Sequence, residues 1–230
     1  MADVYRAERA DVRVRDFVQQ VYGWMAAALA VTGFVALSVA RSGALQRFIF
    51  GSPLIFFGLI IGQLLLVVWL SARISRMTAS TATAVFVGYS ALNGLTMSSI
   101  FLVYAEATIA QAFFVTAGLF AVMTMYGFFT RTDLTRMGNI LGMALLGFII
   151  ATVVNLFLRS EGFYWLITYA GVVIFTGLVA YDSQRIKEMA LSGVGAGDEG
   201  RRYAIMGALR LYLDFVNLFL LLLRLFGRRR

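Results

Sequence analysis

The chain has 230 residues, of which 60% are hydrophobic and 14% charged, and its mean hydropathy is +0.82. Apolar runs of about 20 residues that closely follow one another exclude a soluble globular domain and predict a multi-pass membrane protein. The net charge of +8 does not indicate nucleic-acid binding, because the basic residues lie between apolar segments instead of forming one patch. The sequence contains neither cysteine nor histidine. Thiolate chemistry is therefore excluded, and carboxylates are the groups left to respond to pH near neutrality.

The predicted elements begin with a polar tail at residues 1–20, which has no signal-peptide core and is expected in the cytoplasm. Seven apolar segments follow, each near the length of about 20 residues that crosses the hydrocarbon core. They cover residues 21–40, 54–70, 84–104, 109–129, 138–158, 163–181 and 203–226. A basic tail at 227–230 ends the chain. The predicted fold class is all-α, with one seven-helix transmembrane domain over residues 21–226.

The distribution of lysine and arginine between alternate connections predicts the orientation. Twelve lie in the N-terminal tail and the connections on its side, against six on the other side. The N-terminus is therefore expected in the cytoplasm. Three of the six are the arginines of the C-terminal tail, so the last segment either crosses completely or is re-entrant; we favour crossing.

Two kinds of segment carry packing and linker predictions. Residues 182–202 are predicted to be a long solvated connection with a glycine-rich tip at 192–200. Small residues let membrane helices approach closely, and amides and hydroxyls can hydrogen-bond across helices. Residues 89–101, including Asn93, are accordingly predicted to pack between helices. The same prediction applies to Gly138, Gly142, Gly147, Gly171 and Gly177.

Four strongly polar residues interrupt the last apolar segment: Arg210, Asp214, Asn217 and Arg224. Their spacings of four, three and seven put them on one face of a helix. Charges at membrane depth are costly and normally face a bundle interior or a wet cavity, where they serve ion, proton or substrate movement. Asp214 is the one acidic residue well inside an apolar segment. Either it forms a structural ion pair with Arg210, or it binds a proton or cation.

Further polar residues lie within the second segment or at the predicted cytoplasmic ends of the second and sixth segments. Gln63 is inside the second segment, and Arg73 and Arg76 lie where that segment reaches the cytoplasm. Asp182 directly follows the sixth segment, where the simplest interpretation is a helix-end carboxylate in water. Hydropathy places Asp214 about 15 Å deeper than the start of its helix, at about 1.5 Å per residue. Contact between Asp182 and Asp214 therefore requires the sixth helix to end deeper, or the seventh to begin later, than hydropathy indicates.

Three stretches carry a family resemblance: residues 89–101 (YSALNGLTMSSIF), 181–186 (YDSQRI) and 211–219 (LYLDFVNLF), the last followed by Leu223 and Arg224. Over essentially its whole length the chain resembles bacterial members of the Bax inhibitor-1 family, the transmembrane Bax inhibitor motif proteins. The resemblance implies a seven-helix fold whose last helix is central and surrounded by the other six.

The resemblance also implies a site. Asp182 and Asp214 would form a paired-carboxylate pH sensor associated with a calcium leak, binding calcium weakly and transiently with no tightly bound cofactor. Arg73 matches by position the arginine that holds the pore closed by bonding the first aspartate, with Arg76 as an alternative. Asn217 and Gln63 would supply polar groups to the pore, although bacterial relatives often carry an acidic residue where this chain has Gln63.

The leading hypothesis is a pH-sensitive, proton-gated calcium or cation leak channel in a bacterial inner membrane, in contact with membrane lipid. The alternative is a regulatory membrane protein that acts through a partner such as a membrane-bound protease. An intramembrane aspartyl protease would need Gly-x-Gly-Asp around its second aspartate, whereas residues 211–214 read LYLD. We therefore expect no enzymatic activity.

Overall fold

The computed structural model describes residues 2–193 and 197–227, with side chains described at residue 12 and from residue 14 onward within those ranges. The regular elements in this part of the chain are all helices, without a β-strand, which confirms the all-α prediction. A 3-10 turn at Ile74–Arg76 follows the third helix. The helices are α1 (Ala2–Arg41), α2 (Gly43–Phe50), α3 (Pro53–Arg73), α4 (Ala79–Met97), α5 (Ile100–Val103), α6 (Glu106–Phe129), α7 (Thr135–Leu158), α8 (Glu161–Leu191) and α9 (Asp198–Phe226).

Seven helical segments within the described ranges are long and apolar enough to cross a membrane, as predicted. They are Val14–Arg41, Pro53–Arg76, Ala79–Val103, Glu106–Phe129, Thr135–Leu158, Glu161–Leu191 and Asp198–Phe226. The share of the most apolar window that is buried within the protein is 72% for the last segment and between 0% and 39% for the other six. The last helix is thus the most enclosed of the seven, while its central position stays a prediction.

Two predicted boundaries differ from the structure near the N-terminus. Helix α1 begins at Ala2, so the expected division between a tail and a first span at residue 20 is not a helix boundary. The first predicted connection contains the short helix α2, whose N-cap Ser42 accepts a hydrogen bond from the backbone N–H of Leu45 at 3.4 Å. A polar side chain of this type stabilises the first turn by satisfying an amide that the helix leaves unpaired.

The predicted long connection at residues 182–202 is wrong. Helix α8 continues to Leu191 and α9 begins at Asp198. Only 192–197 join them, and Gly193 and Gly197 adopt positive φ angles of 73° and 84° that favour glycine. Hydropathy indicates where a helix leaves the apolar region, which need not be where the helix ends. Helix α8 continues past that point because the polar residues that follow have good helix propensity. Residues 194–196 of the predicted glycine-rich tip lie outside the described residues, as do 228–230 of the basic tail.

The chain forms two compact units, and the divisions fall between α5 and α6, near the end of α8 and within α9. The first comprises Met1–Tyr104 and Met189–Tyr212. Within it α1 packs against α4, at a contact that requires Gly94. A Cβ atom at Gly94 would lie 2.7 Å from the carbonyl oxygen of Thr32, so a larger residue could not be accommodated without movement of the backbone.

The second unit comprises Ala105–Glu188 and Leu213–Arg230. Its core joins α8 to α9 through an apolar cluster of buried side chains: Ile174, Phe175, Leu178, Leu218, Leu221 and Leu222. The glycine predictions were partly correct. Gly138 packs against Tyr181, Gly171 against Phe148 and Leu221, and Gly177 against Leu141. Gly142 and Gly147 face open space, so the prediction that they pack between helices was wrong.

Candidate functional site

Asp182 and Asp214 are both buried in the second unit, with 8% and 5% of their surfaces exposed. Asp182 lies within α8, which continues to Leu191, so the simplest interpretation of a helix-end carboxylate in water was wrong. Asp214 lies within α9 as predicted. The structure therefore places two carboxylates inside membrane-spanning helices, where ionisable groups are rare and expensive.

The packing of α8 on α9 sets the relative level of these two aspartates. The helices are consecutive, and Gly171 of α8 contacts Leu221 of α9 while Leu178 and Leu218 share one apolar cluster. Counting in the antiparallel sense from the contact of Gly171 with Leu221 puts Asp182 and Asp214 four residues, or about 6 Å, apart along the helix axes. The depth mismatch expected from hydropathy came from ending the sixth helix at residue 181.

The side of α8 next to Asp182 is held tightly against α6. The backbone carbonyl of Ala180 lies where a Cβ atom at Gly127 would stand, so only glycine permits this approach. One turn away, the Ser183 hydroxyl contacts the Thr124 hydroxyl at 3.4 Å. Close backbone approach and hydroxyl contacts are the means by which membrane helices associate without a hydrophobic driving force.

Two further side chains of α8 hold the end of α6 and the connection after it. The amide group of Gln184 donates to the carbonyl of Thr132 and accepts from the N–H of Leu134, both at 2.8 Å. The ammonium of Lys187 donates to the Phe128 carbonyl at 2.6 Å, where the C-terminal turn of α6 leaves carbonyls unpaired. Sequence reasoning missed these contacts because residues 182–202 were assigned to a loop. Ile186 and Ala190, both buried and four residues apart, carried the signal that the helix continues.

The other members of the polar stripe on α9 have separate surroundings. Arg210 is half-buried one turn before Asp214, in the part of α9 that belongs to the first unit. Asn217 is half-buried and its amide nitrogen donates to the Leu213 carbonyl at 2.8 Å, leaving the amide oxygen as an acceptor. Arg224 lies over the ring of Tyr164, 5.6 Å from its centroid, which is a cation–π contact within the second unit.

The remaining predicted site residues belong to the first unit. Arg73 ends α3 and Arg76 lies in the 3-10 turn, and both side chains are exposed. The amide oxygen of the half-buried Gln63 accepts a hydrogen bond from the Thr96 hydroxyl at 3.0 Å, which joins α3 to α4. The structure thus gives Gln63 a helix-packing role. The gating roles of Arg73 and Arg76 and the pore-lining role of Gln63 stay predictions.

A buried polar network around Tyr212 was not predicted. Tyr212 is fully buried, its hydroxyl contacts the Thr32 hydroxyl at 2.7 Å, and it accepts from the Asn93 amide at 2.9 Å. Phe86 and Tyr89 meet its ring edge-on, with centroids 5.7 and 6.0 Å away. The predicted hydrogen bonding of Asn93 across helices is confirmed. Tyr212 gave no separate signal, because one tyrosine in an apolar run resembles any other core residue.

Calcium takes about six to eight oxygen ligands. In the described part of the chain, no group of three or more histidine, cysteine, aspartate or glutamate residues is placed to hold a metal ion. Within the described residues, Asp182, Asp214 and the amide oxygen of Asn217 could offer oxygen ligands, and water would have to supply much of the remainder.

Comparison with known proteins identifies the family. The model of the family described as "Inhibitor of apoptosis-promoting Bax1" matches residues 14–230. The "Inner membrane protein YbhL" of Escherichia coli strain K12 is 49% identical over 219 residues, which are 94% of this chain and 93% of the relative. Proteins of Borreliella burgdorferi and Deinococcus radiodurans are each 42% identical, covering 97% and 94% of this chain and 97% and 92% of their own lengths. The chain is a multi-helix membrane protein and belongs to the Bax inhibitor-1 family.

Proposed function

We propose that this protein is a pH-sensitive cation leak channel in which Asp182 and Asp214 bind the controlling proton and calcium is a permeant ion. The observation that supports this most directly is the burial of both carboxylates on helices that share an apolar cluster. Counting from the contact of Gly171 with Leu221 puts the two carboxylates about 6 Å apart in level. Buried carboxylates at membrane depth are typical of proton and cation pathways.

The proposed mechanism follows from the repulsion between two carboxylates. A pair that shares a site resists double ionisation and titrates as a unit. With one proton between them, α8 and α9 can pack closely. With both ionised, the repulsion is relieved by a cation, by an arginine or by separation of the two helices. Because α8 is tied to α6 through Lys187 and to the connection after α6 through Gln184, the apolar contact between α8 and α9 is the one we expect to change.

The proposed calcium interaction is weak and transient. Asp182, Asp214 and Asn217 supply fewer oxygens than the six or more that calcium prefers, so a passing ion would keep part of its water shell. This composition suits permeation, since an ion held by a complete protein ligand set would leave slowly. Arg73 or Arg76 is proposed to oppose opening by bonding Asp182, as the family resemblance implies.

We also propose that the chain lies in a bacterial inner membrane with its N-terminus in the cytoplasm. The name of the Escherichia coli relative places that protein in an inner membrane. The orientation rests on the excess of lysine and arginine in the N-terminal tail and the connections on the same side.

The test is calcium flux into liposomes that contain the purified protein, measured from mildly acidic to mildly alkaline pH. Asp182→Asn and Asp214→Asn are each expected to alter the pH dependence, because the remaining carboxylate then titrates without the repulsion of a neighbouring carboxylate. Asp133→Asn is the matched control, since Asp133 is an exposed carboxylate in the connection between α6 and α7. Loss of the closed state in Arg73→Gln but not Arg76→Gln would assign the gating arginine.

Flux no greater than that of empty liposomes at every pH would contradict the channel proposal. The alternative proposal, a regulator that acts through a partner, would then be tested by retention of a membrane-bound protease on the immobilised protein. Asp182→Asn and Asp214→Asn serve in that assay as well, since a regulatory role predicts changed retention without any flux.

A further inference from the structure

An exposed basic surface lies where α3 ends and α9 begins, and we propose that it binds the headgroup of an anionic phospholipid. The arginine surface consists of Arg73, Arg76 and Arg201, all exposed and all in the first unit. This proposal concerns lipid recognition and does not depend on the protein being a channel.

The backbone that carries these arginines is fixed by Arg202. Its Nη1 atom donates to the carbonyls of Ser75 at 2.7 Å and Met77 at 3.3 Å. Arg76 lies between those two residues, and Arg201 directly precedes Arg202. The hydrogen bonds therefore hold Arg76 and Arg201 at neighbouring positions, and little backbone ordering is left to oppose binding of a ligand.

The electrostatic balance of this region is positive. The region contains four arginines and two carboxylates; the arginines are Arg73, Arg76, Arg201 and Arg202. The carboxylate of Asp198 accepts a hydrogen bond from the Ala79 N–H at 3.2 Å and so caps α4. The other belongs to Glu199. It lines a recess of about 70 Å³ together with Ile74, Ser75, Arg202, Tyr203 and Met206. The recess can hold little more than two waters, so a headgroup would bind over the exposed guanidinium groups instead of entering it.

The neighbouring face of α3 is suited to the acyl chain of the same lipid. Leu65, Val68 and Trp69 are 66%, 66% and 46% exposed and lie one to two turns before Arg73. The most apolar window of this span is only 6% buried within the protein. Tryptophan near the end of a spanning helix sits at the headgroup level. A lipid whose chain follows this face would therefore have its phosphate close to Arg73 and Arg76.

Phosphate chemistry and charge favour an anionic lipid over a zwitterionic one. Guanidinium groups bind phosphate oxygens in a bidentate manner, and each basic residue near a membrane surface favours anionic lipid. A choline headgroup offers the same phosphate but also a quaternary ammonium, which the net positive surface repels. We therefore expect preferential binding of phosphatidylglycerol over phosphatidylcholine.

The experiment uses Trp69 as a local probe. Trp24→Phe and Trp165→Phe remove the other two tryptophans of the chain. In mixed vesicles, brominated phosphatidylglycerol is expected to quench Trp69 at a lower mole fraction than brominated phosphatidylcholine. Arg73→Gln with Arg76→Gln should reduce that preference by roughly fivefold per arginine removed. The matched control is Arg131→Gln with Arg136→Gln, two exposed arginines of the second unit that should leave the preference unchanged.

Equal quenching of Trp69 by the two brominated lipids in the otherwise unsubstituted protein would overturn the proposal. Loss of the preference on addition of inorganic phosphate would also overturn it, by assigning the surface to soluble phosphate. If the double glutamine variant does not fold, Arg73→Ala and Arg76→Ala are measured singly, and each should lose part of the preference. An unchanged preference in both single variants would contradict the assignment.

Discussion

Two regions of α9 place polar groups in the protein interior in different ways. Around Tyr212 the groups are hydroxyls and an amide, each hydrogen-bonded to a named neighbour on α1 or α4. Two residues further along the helix, Asp214 is an ionisable carboxylate in an apolar section that packs against α8. The first region holds helices together with groups that stay neutral at physiological pH. The second contains carboxylates, whose charge depends on protonation and whose protonation depends on burial and on neighbouring charges.

Helix α9 therefore combines a section that holds its neighbours in place with a section that we expect to respond to pH. A fully hydrogen-bonded neutral network is stabilising and specific, because breaking any member leaves a buried polar group unsatisfied. A buried carboxylate is costly when ionised and therefore couples protonation to packing. The Tyr212 region is expected to control stability alone, whereas the region of Asp182 and Asp214 is expected to control stability and pH response together.

The largest effect is expected from Gly127→Ala. Its new Cβ would meet the backbone carbonyl of Ala180, which cannot move without shifting α8 beside Asp182. The free energy of unfolding should fall by about 1–3 kcal/mol, and the pH dependence of calcium flux should shift. Gly118→Ala on the same helix is the matched control, because a Cβ atom there meets open space. Equal unfolding temperatures in detergent for the two variants would contradict a tight contact between α6 and α8.

Gly94→Ala is the corresponding change in the other region. A Cβ atom there would lie 2.7 Å from the Thr32 carbonyl oxygen and 2.8 Å from the Cβ of Val35. We expect a similar loss of stability, about 1–3 kcal/mol, with the pH dependence of flux unchanged. A shift in that pH dependence as large as the shift in Gly127→Ala would remove the distinction between the two regions.

Tyr212→Phe tests the neutral network directly. The change deletes one hydroxyl and leaves the buried Asn93 amide without its acceptor, so unfolding should become easier by about 1–3 kcal/mol. The loss should be the same at acidic and neutral pH, because none of the groups involved changes charge there. Thermal unfolding at the two pH values is the measurement, with Tyr169→Phe as the control because Tyr169 is exposed. A loss that appears at only one pH would assign a titrating group to the network.

Gln184→Ala should have a more local effect, at the connection after α6 in the second region. It removes the two hydrogen bonds that hold the connection after α6, each contributing about 0.5–1.5 kcal/mol. Hydrogen exchange at the Leu134 amide is the direct measurement. The substitution is expected to accelerate exchange at Leu134 more than at the Thr135 amide. Unchanged exchange at Leu134 would mean that Gln184 does not protect this connection.

The smallest effect is expected from Asp133→Asn. The N–H of Thr135 donates to the Asp133 carboxylate at 2.8 Å, and hydrogen bonding from Thr135 lowers the pKa of this exposed carboxyl. Its contribution to stability is therefore present above the pKa of the unfolded chain and is lost as the pH falls through the lower pKa of the folded state. Protection of the Thr135 amide from exchange should weaken on acidification in the unsubstituted protein but not in the variant. The same acid dependence in both would assign it to another carboxylate.

Much of the fold was predictable because crossing a membrane imposes a simple requirement on composition. Seven apolar runs correspond to the seven spanning segments of the described residues, and Asn93 and Gly94 in the third run pack as small and polar residues in membrane helices generally do. The ends of the helices were less predictable. The polar residues of α8 after Asp182 resemble a solvated loop in hydropathy, yet Lys187 bonds α6 and Gln184 bonds the connection after it.

The site was predictable in part. Asp214 was conspicuous as a charge within an apolar run, while Asp182 was recognised only through a family resemblance. Arg224 and Asn217 lie on the same face of α9 as Asp214. In the structure Arg224 contacts the ring of Tyr164, and Asn217 forms a hydrogen bond within its own helix. Position on a face indicates which residues can point inward, and the neighbouring helices decide what each one contacts.

The sequence by itself determined the class of protein, the number of spans, the family and the presence of a carboxylate at membrane depth, because each of these depends on composition and order along the chain. The tertiary structure decided that Asp182 is buried in α8 near the level of Asp214, and that Tyr212 joins α9 to α1 and α4. Both outcomes depend on the register and close approach of helices. That register follows from side-chain packing across α8 and α9 and from the glycines that permit contact, which hydropathy along one segment does not contain.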